Sequence, residues 1–348
     1  MQATVTVTGT GFDSNATVSI SGTGLTVGST TFVDATHLTV PVAVASNATV
    51  GARSVTVTNS DGGTSTTSSV FTINAAPTGS SSSPSSLGRG VVSQSVTITG
   101  TNFASGVAVT ADAGSGVTVG TVTFNSATQI TVLLSVASNA TAGARNLTFT
   151  NSDGGTSTAT AIIDIATNPL VSSMSPSALG QGANSQTITV TGTGFQAGMT
   201  AAFSGSGVTV SAVNVVDNYS VTLTVSVSGT ATTGARDLTL TNTDAGTSTA
   251  TGVFTVVAGP SMTLVSPSVL GQSALSKTVT ITGTGFQSGL TATFSNAGVT
   301  GTVTSVSSTS VTLTVSVSSS ATPGAGFVRL TNPDAGSSTS ALTVTAAP

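Results

Sequence analysis

Charged side chains are scarce in this chain. Asp, Glu, Lys and Arg together make up 5% of the 348 residues, against about a quarter in an ordinary soluble domain. Glutamate is absent and Lys277 is the single lysine. Six Lys and Arg residues in total cannot form the track of cations that neutralises phosphates in a nucleic-acid-binding protein. The composition therefore predicts no nucleic-acid partner.

Cysteine and tryptophan are also absent, and Tyr219 is the single tyrosine. Without cysteine, neither disulfide bonds nor thiolate metal sites can form. A sugar-binding surface usually gathers aromatic side chains, which are few here. An adhesin, or a module that binds carbohydrate or protein, is therefore the alternative interpretation of function and not the first.

Long hydrophobic runs are missing, although the mean hydropathy is +0.41. The longest apolar runs, such as PVAVA, fall far short of the roughly 18 residues that a membrane-spanning helix needs. The start of the chain, MQATVTVTGT, lacks the basic region, apolar core and cleavage site of a signal peptide. We expect no transmembrane segment in this chain and, for an exported protein, a mature or excised piece.

The chain consists of four copies of one unit of about 91 residues. The stretch VTVTGTGF recurs three times, and so does TNSDGGTST with small changes. The phenylalanines that end the first motif are Phe12, Phe103, Phe195 and Phe286. The asparagines of the second motif are Asn59, Asn151, Asn242 and Asn332. The predicted repeats are residues 1–75, 76–166, 167–258 and 259–348.

Proline and serine mark the segments between copies. The stretches AAPTGSSSSPSSLGRG, ATNPLVSSMSPSALGQG and AGPSMTLVSPSVLGQS each hold two prolines. Because proline and small polar residues disfavour regular pairing, these segments are predicted to be short linkers. The boundaries are placed near Ala75, Ala166 and Ala258.

Within a copy, apolar residues alternate with polar ones. Val96 and Ile98 are separated by threonine, and later segments of the same copy repeat this period of two. Such alternation with β-branched residues predicts half-buried strands, about seven in each copy. The predicted fold is all-β: four tandem immunoglobulin-like antiparallel β-sandwiches.

The leader SPSSLGRG, followed by SVTITGTNF, SATQITV and LTFTNSDGGTS, resembles an IPT/TIG domain of the immunoglobulin-like fold. All four copies share the pattern, apart from the start of the first. The resemblance implies an extracellular or cell-surface array, because bacterial members of this family commonly occur as tandem stalks. It assigns no activity.

The first copy lacks the counterpart of everything before Gln94, which includes the leader. The favoured interpretation is that the chain is a fragment of a longer repeat protein. The alternative is an incomplete first sandwich that takes up a strand from a neighbouring subunit by β-augmentation.

Several motifs suggest chemistry, and each has a simpler structural interpretation. VTVTGTGF looks like a phosphate loop, but an alternating segment follows it where a phosphate site needs a helix. TNSDGGTST offers Asn59 and Asp61 to calcium, yet Asx-Gly between two strands predicts a hairpin. His37, the single histidine, is predicted to be a surface residue.

Arginine recurs at one place in three copies, as Arg53, Arg145 and Arg236, while the fourth has Gly326. The favoured interpretation is a strand-edge charge that limits pairing between sheets, and the alternative is an anion or sugar contact. Five N-x-Ser/Thr sequons are hypothetical glycan acceptors: Asn15, Asn47, Asn139, Asn146 and Asn218.

No constellation of catalytic residues repeats or clusters. The sequence thus predicts a non-enzymatic, extracellular structural array without a cofactor or metal, forming a stalk, fibre or filament. Four sandwiches in line would reach on the order of 150 Å. The predicted partners are further copies of the chain or other cell-surface components.

Overall fold

The computed structural model describes residues 2–347, and every regular element in this range is a β-strand. The chain falls into two compact units, Met1–Ile165 and Ala166–Pro348. The prediction of an all-β fold built from immunoglobulin-like sandwiches is confirmed. Within the described residues, no helix of the length and apolar character that a bilayer crossing requires is found.

In unit 1, repeat 1 forms two sheets, with strand orders β1-β5-β3 (β4 also pairs with β5) and β2-β6-β7. Its strands are β1 (Gln2–Thr8), β2 (Thr17–Ile20), β3 (Leu25–Val27), β4 (Thr31–Asp34), β5 (His37–Val44), β6 (Gly51–Thr58) and β7 (Thr64–Ile73). Repeat 2 has the strands β8 (Thr78–Ser83), β9 (Ser86–Gly88), β10 (Gln94–Thr101), β11 (Ala108–Ala111), β12 (Val117–Ser126), β13 (Gln129–Val136), β14 (Gly143–Thr150) and β15 (Thr156–Ala166). Its sheets have the orders β12-β13-β10-β8 and β11-β14-β15-β9.

Unit 2 contains two sandwiches of this second kind. Repeat 3 consists of β16 (Leu170–Ser175), β17 (Ala178–Gly180), β18 (Gln186–Thr193), β19 (Thr200–Phe203), β20 (Val208–Asp217), β21 (Ser220–Val227), β22 (Gly234–Thr241) and β23 (Thr247–Val257). Repeat 4 consists of β24 (Ser261–Ser266), β25 (Val269–Gly271), β26 (Lys277–Thr284), β27 (Thr291–Phe294), β28 (Val299–Val306), β29 (Ser310–Val317), β30 (Gly324–Thr331) and β31 (Ser337–Thr345). The sheet orders are β16-β18-β21-β20 and β17-β23-β22-β19, then β24-β26-β29-β28 and β25-β31-β30-β27.

The proline-containing segments belong to the sandwiches, so the prediction that they are unpaired linkers is wrong. In repeats 2, 3 and 4, we call the two strands on either side of the second proline (Pro84, Pro176 and Pro267) the leader. In repeat 3, β16 pairs antiparallel with β18, and after Pro176 the chain crosses to the other sheet, where β17 pairs parallel with β23. Proline, which has no N–H to donate, falls at the crossing between the strands. Repeats 2, 3 and 4 therefore have eight strands each instead of the predicted seven, and repeat 1 has seven.

The alternation predicted from the sequence divides each strand between core and surface. In β13, Ile130, Val132 and Leu134 are fully buried, whereas the intervening residues are only partly buried. On the outer face, Thr148 of β14 meets Thr158 of β15 hydroxyl to hydroxyl at 2.7 Å. Such cross-strand threonine pairs stabilise a sheet without adding charge.

Candidate functional site

The motif VTVTGTGF comprises the end of β1 and the turn that follows it. Main-chain N–H groups of Gly9 and Phe12 donate to the carbonyl oxygens of Thr36 and Ala35, at 2.9 and 3.0 Å. The next regular element is β2, so no helix N-terminus is available to a phosphate at this turn. The interpretation of VTVTGTGF as a structural turn is confirmed.

The repeated asparagine of TNSDGGTST joins two loops within its own repeat. Asn151 donates from Nδ2 to the carbonyl oxygen of Asn102 at 2.7 Å and accepts at Oδ1 from the N–H of Ala104 at 3.0 Å. Asn332 makes the same pair of bonds in repeat 4, to Gly285 and Gln287. The side chain thus connects the hairpin (β14–β15 in repeat 2, β30–β31 in repeat 4) to the turn at the end of the VTVTGTGF motif.

The repeated aspartate closes the hairpin. Oδ1 of Asp61 accepts from the main-chain N–H of Gly63 at 2.8 Å, and β6 and β7 pair antiparallel on either side. The Asx-Gly hairpin is confirmed. In repeat 2, Oδ2 of the equivalent Asp153 accepts from Asn74 Nδ2 at 2.8 Å. This bond, and to a smaller extent the bond from the N–H of Gly155, lowers the pKa of Asp153. Among residues 2–347, no three His or Asp side chains lie close enough together to hold a metal ion.

His37 begins β5 and its side chain is 44% exposed, as predicted for a surface residue. Its Nδ1 lies 3.1 Å from Asp34 Oδ1 and 2.8 Å from Thr36 Oγ1. In a Ser-His-Asp triad the nucleophile and the acid meet opposite ring nitrogens, whereas here both neighbours meet the same one. This cluster stabilises the turn between β4 and β5 and lacks the arrangement of a triad.

The repeated arginines are turned onto main-chain carbonyl oxygens. Arg145 donates from Nη1 to Gly143 at 3.0 Å and from Nε to Ser115 at 3.1 Å. Arg236 is 9% exposed. The three arginines lie on β6, β14 and β22, each of which has a neighbouring strand on both sides, so the strand-edge interpretation is corrected. The Nη2 atoms of Arg53, Arg145 and Arg236 donate to the carbonyl oxygens of Thr49, Thr141 and Thr232.

The sequon asparagines differ in accessibility. Asn146 is half-buried and accepts at Oδ1 from the N–H of Ala161 at 2.9 Å. The exposed sequon asparagines are Asn15, Asn47, Asn139 and Asn218.

A cleft of about 370 Å³ at one end of repeat 1 is the candidate binding site. Its apolar wall includes Ala3 of β1, Val42 and Val44 of β5, and Phe71 of β7. The segment 74–76 and the β14–β15 hairpin of repeat 2 close one side. No charged side chain other than that of Asp153 lines it, so the cleft suits an uncharged, partly apolar group.

The corresponding place in repeat 3 is filled by the leader. Leu179 of β17 is 2% exposed and pairs with Val256, the counterpart of Ile73 in the cleft. Gln181 then donates from Nε2 to the carbonyl oxygen of Ala231 at 2.6 Å, and its Oε1 accepts from Gly259 N at 3.3 Å. The counterparts of Ala231 and Gly259 in repeat 1 are Ala48 and Ala76, and both line the cleft.

The core of repeat 1 is correspondingly less covered. Its cluster has six buried residues, whereas those of repeats 2, 3 and 4 have sixteen each among the described residues. Phe71 is half-buried, while its counterparts Ile163 and Phe254 are fully buried. The sequence did not predict this cleft, although the Leu-Gly-Gln of LGQG could have indicated it.

No protein-family model matches the chain, and no curated protein sequence matches it. Similar solved structures include the plexin A4 extracellular region, 11% identical with a TM-score of 0.36 over 91% of this chain. This chain covers 33% of that plexin chain. FdeC, an Escherichia coli adhesin, is 18% identical with a TM-score of 0.23, over 74% of this chain and 94% of its own. Invasin, a bacterial integrin-binding protein, is 14% identical with a TM-score of 0.24, over 99% and 79%. Likeness at these levels carries no argument about function, and the fold class rests on the strand pairing.

Proposed function

We propose that this chain is a non-enzymatic, extracellular structural array of four IPT/TIG-like domains, which spans distance at a cell surface as part of a stalk, fibre or filament. The observation that carries the proposal is that the polar side chains recurring in the repeats make hydrogen bonds that hold loops and hairpins of the fold together. Asn151 and Asn332 bond two loops together, Asp61 closes its hairpin, and Arg145 bonds to main-chain oxygens.

Contacts between neighbouring repeats support a role that requires stiffness. Within unit 2, the main-chain N–H of Ser337 in repeat 4 donates to the carbonyl oxygen of Gln181 in repeat 3 at 2.9 Å. Ser337 Oγ donates to the carbonyl oxygen of Gly182 at 2.8 Å, and Gly180 N donates to that of Asp334 at 3.0 Å. Three bonds across one junction restrict bending between the two repeats.

The nearly neutral surface supports the self-association part of the proposal. A formal net charge of −4 over 348 residues gives little repulsion between copies. Sedimentation velocity over a range of concentrations tests it: reversible growth of larger species is the expected result, and a strict monomer at high concentration contradicts it.

Single-molecule stretching of the chain tests the proposed array. Four separate unfolding events are expected, and each complete repeat should release about 90 residues at roughly 3.3–3.6 Å per residue, or on the order of 300 Å. Two events of double length would mean that each compact unit is one domain, which contradicts the four-domain array. Antibody labelling of intact source cells tests the location, since labelling only after lysis contradicts an extracellular role.

A further inference from the structure

We propose that the outer face of repeat 4 binds an acidic polysaccharide, with Phe327 and Arg329 of β30 as the main contact residues. The ring of Phe327 packs on the face of a hexuronic acid residue, and the guanidinium of Arg329 binds the carboxylate of that residue. This adds a ligand site to the proposed array and names the ligand by its chemistry.

Both side chains lie on the outer face of β30. The alternate residues Val328 and Leu330 are fully buried in the core. Phe327 is 43% exposed and Arg329 is half-buried. Positions two apart on a strand are separated by about 7 Å, a distance that one sugar residue bridges with its ring and its carboxylate.

The position of Phe327 has a structural task in repeats 2 and 3 that repeat 4 lacks. Asn146 accepts from the N–H of Ala161 at 2.9 Å, and Asp237 accepts from that of Gly252 at 2.8 Å. Both bonds lie where the pairing with the last strand shifts its register. In repeat 4, β30 and β31 pair without a shift. The fold therefore requires no acceptor at Phe327, and the exposed ring is free to contact a ligand.

Arg329 is not a displaced copy of the repeated arginine. Gly326 stands where repeats 1, 2 and 3 have that arginine, and a Cβ on Gly326 would overlap the side-chain amide of Asn296. Asn296 Nδ2 donates to the carbonyl oxygen of Gly324 at 3.4 Å, as Arg145 donates to the equivalent oxygen in repeat 2. An asparagine thus replaces the structural arginine, and Arg329 is an additional cation on the outer face.

The guanidinium of Arg329 has unused donors. Its Nη2 donates to Ser337 Oγ at 2.7 Å, which uses one of the five N–H groups of a guanidinium. No carboxylate among residues 2–347 forms an ion pair with it. A carboxylate ligand supplies the missing opposite charge, and its two oxygens match the fork of the guanidinium.

The surroundings of Arg329 favour a sugar over other anions. Thr293 and Thr339 flank it on the neighbouring strands and are exposed, so their hydroxyls can bond to sugar hydroxyls. The ring of Phe327 is an apolar surface for the C–H groups of a pyranose. A polyphosphate would need a track of cations, and the chain has six Lys and Arg residues in total.

An NMR titration of the isotope-labelled full chain with tetragalacturonate tests the proposal. Saturable shifts confined to β27, β30 and β31 are expected. The methyl ester of the same tetrasaccharide keeps the rings but not the charge, and should bind at least about fivefold more weakly. A tetra-aspartate peptide keeps the charge but not the rings, and should also bind at least about fivefold more weakly.

Variants of the protein locate the site. Arg329→Thr introduces the residue found at the equivalent Thr148 of repeat 2, and should weaken binding of the acid by about fivefold or more. Phe327→Leu stays apolar but loses the flat ring and should weaken binding, whereas Phe327→Tyr keeps the ring and should bind like the parent. Thr239→Ala, the control on the same face of repeat 3, should leave binding unchanged. Circular dichroism checks that each variant folds.

Five results overturn the proposal: no saturable shifts, equal binding of the acid and its methyl ester, equal binding of the peptide, unchanged binding by Arg329→Thr, or equal losses in Phe327→Leu and Phe327→Tyr. The ester and peptide comparisons use the parent chain, so they decide the question even where a variant does not fold. The four unfolding events of the proposed array do not depend on the sugar, so either proposal can fail alone.

Discussion

Asn151 Nδ2 lies 2.7 Å from the carbonyl oxygen of Asn102, and this bond spans 49 positions of the chain. The side chain is 5% exposed, and its Oδ1 accepts from Ala104 at 3.0 Å. One amide therefore satisfies two main-chain groups of the turn after β10 and attaches that turn to the hairpin between β14 and β15. This explains why the asparagine and the VTVTGTGF motif recur together.

Asn151→Ala should destabilise repeat 2 by about 1–3 kcal/mol, because it leaves buried main-chain groups without their partner. The exposed Asn139 of the same repeat is the control, and Asn139→Ala should stay within about 0.5 kcal/mol of the parent. Native-state hydrogen exchange of the β14 amides measures both changes. Equal effects of the two substitutions would contradict the role assigned to Asn151.

Phe254 and Phe71 occupy equivalent places opposite an arginine, but only Phe254 is fully buried. Phe254→Ala should cost repeat 3 about 3–5 kcal/mol, the usual range for a core phenylalanine. Phe71→Ala should cost repeat 1 clearly less, because its ring already contacts solvent. Exchange of the β22 and β6 amides measures the two effects separately, and a larger loss in repeat 1 would contradict the open core described there.

The sequence predicted the strands of the sandwich body because their pattern is local. Val96 and Ile98 alternate with threonine, and both are buried in the structure. The leaders were mistaken for linkers because Pro84 and its serine neighbours match loop statistics, and their pairing depends on strands far along the chain. The cleft was not predictable for the same reason: the corresponding place in repeat 3 is filled through the pairing of Leu179 with Val256, which are 77 positions apart.

Acid should weaken the β4–β5 turn through Asp34. The hydroxyl and then the N–H of Thr36, followed by His37, lower the pKa of Asp34 from 3.8 to about 2. A depressed carboxyl pKa stabilises the fold above the unfolded value of 3.8 and loses that contribution as the pH falls through about 2. The stability difference between the parent and Asp34→Asn should therefore shrink between these two values.

Thermal melting of repeat 1, followed by exchange of the β5 amides from neutral pH downwards, measures this difference. Asn139→Ala changes no titratable group, so its offset from the parent should stay constant with pH. A difference between the parent and Asp34→Asn that stays constant or grows towards pH 2 would contradict the lowered pKa of Asp34.

Gln181 should be the main tie between the leader and the far end of repeat 3. Its side chain joins the carbonyl oxygen of Ala231 to the N–H of Gly259, and each bond of this kind contributes about 0.5–1.5 kcal/mol. Gln181→Ala should speed hydrogen exchange at residues 228–233 and 257–260 without affecting β18. In the control, Gln94→Ala, the lost amide reaches only the adjacent Ser95 at 3.5 Å, so exchange should stay unchanged. If both variants behave alike, the leader of repeat 3 is held by its leucine and strand pairing alone.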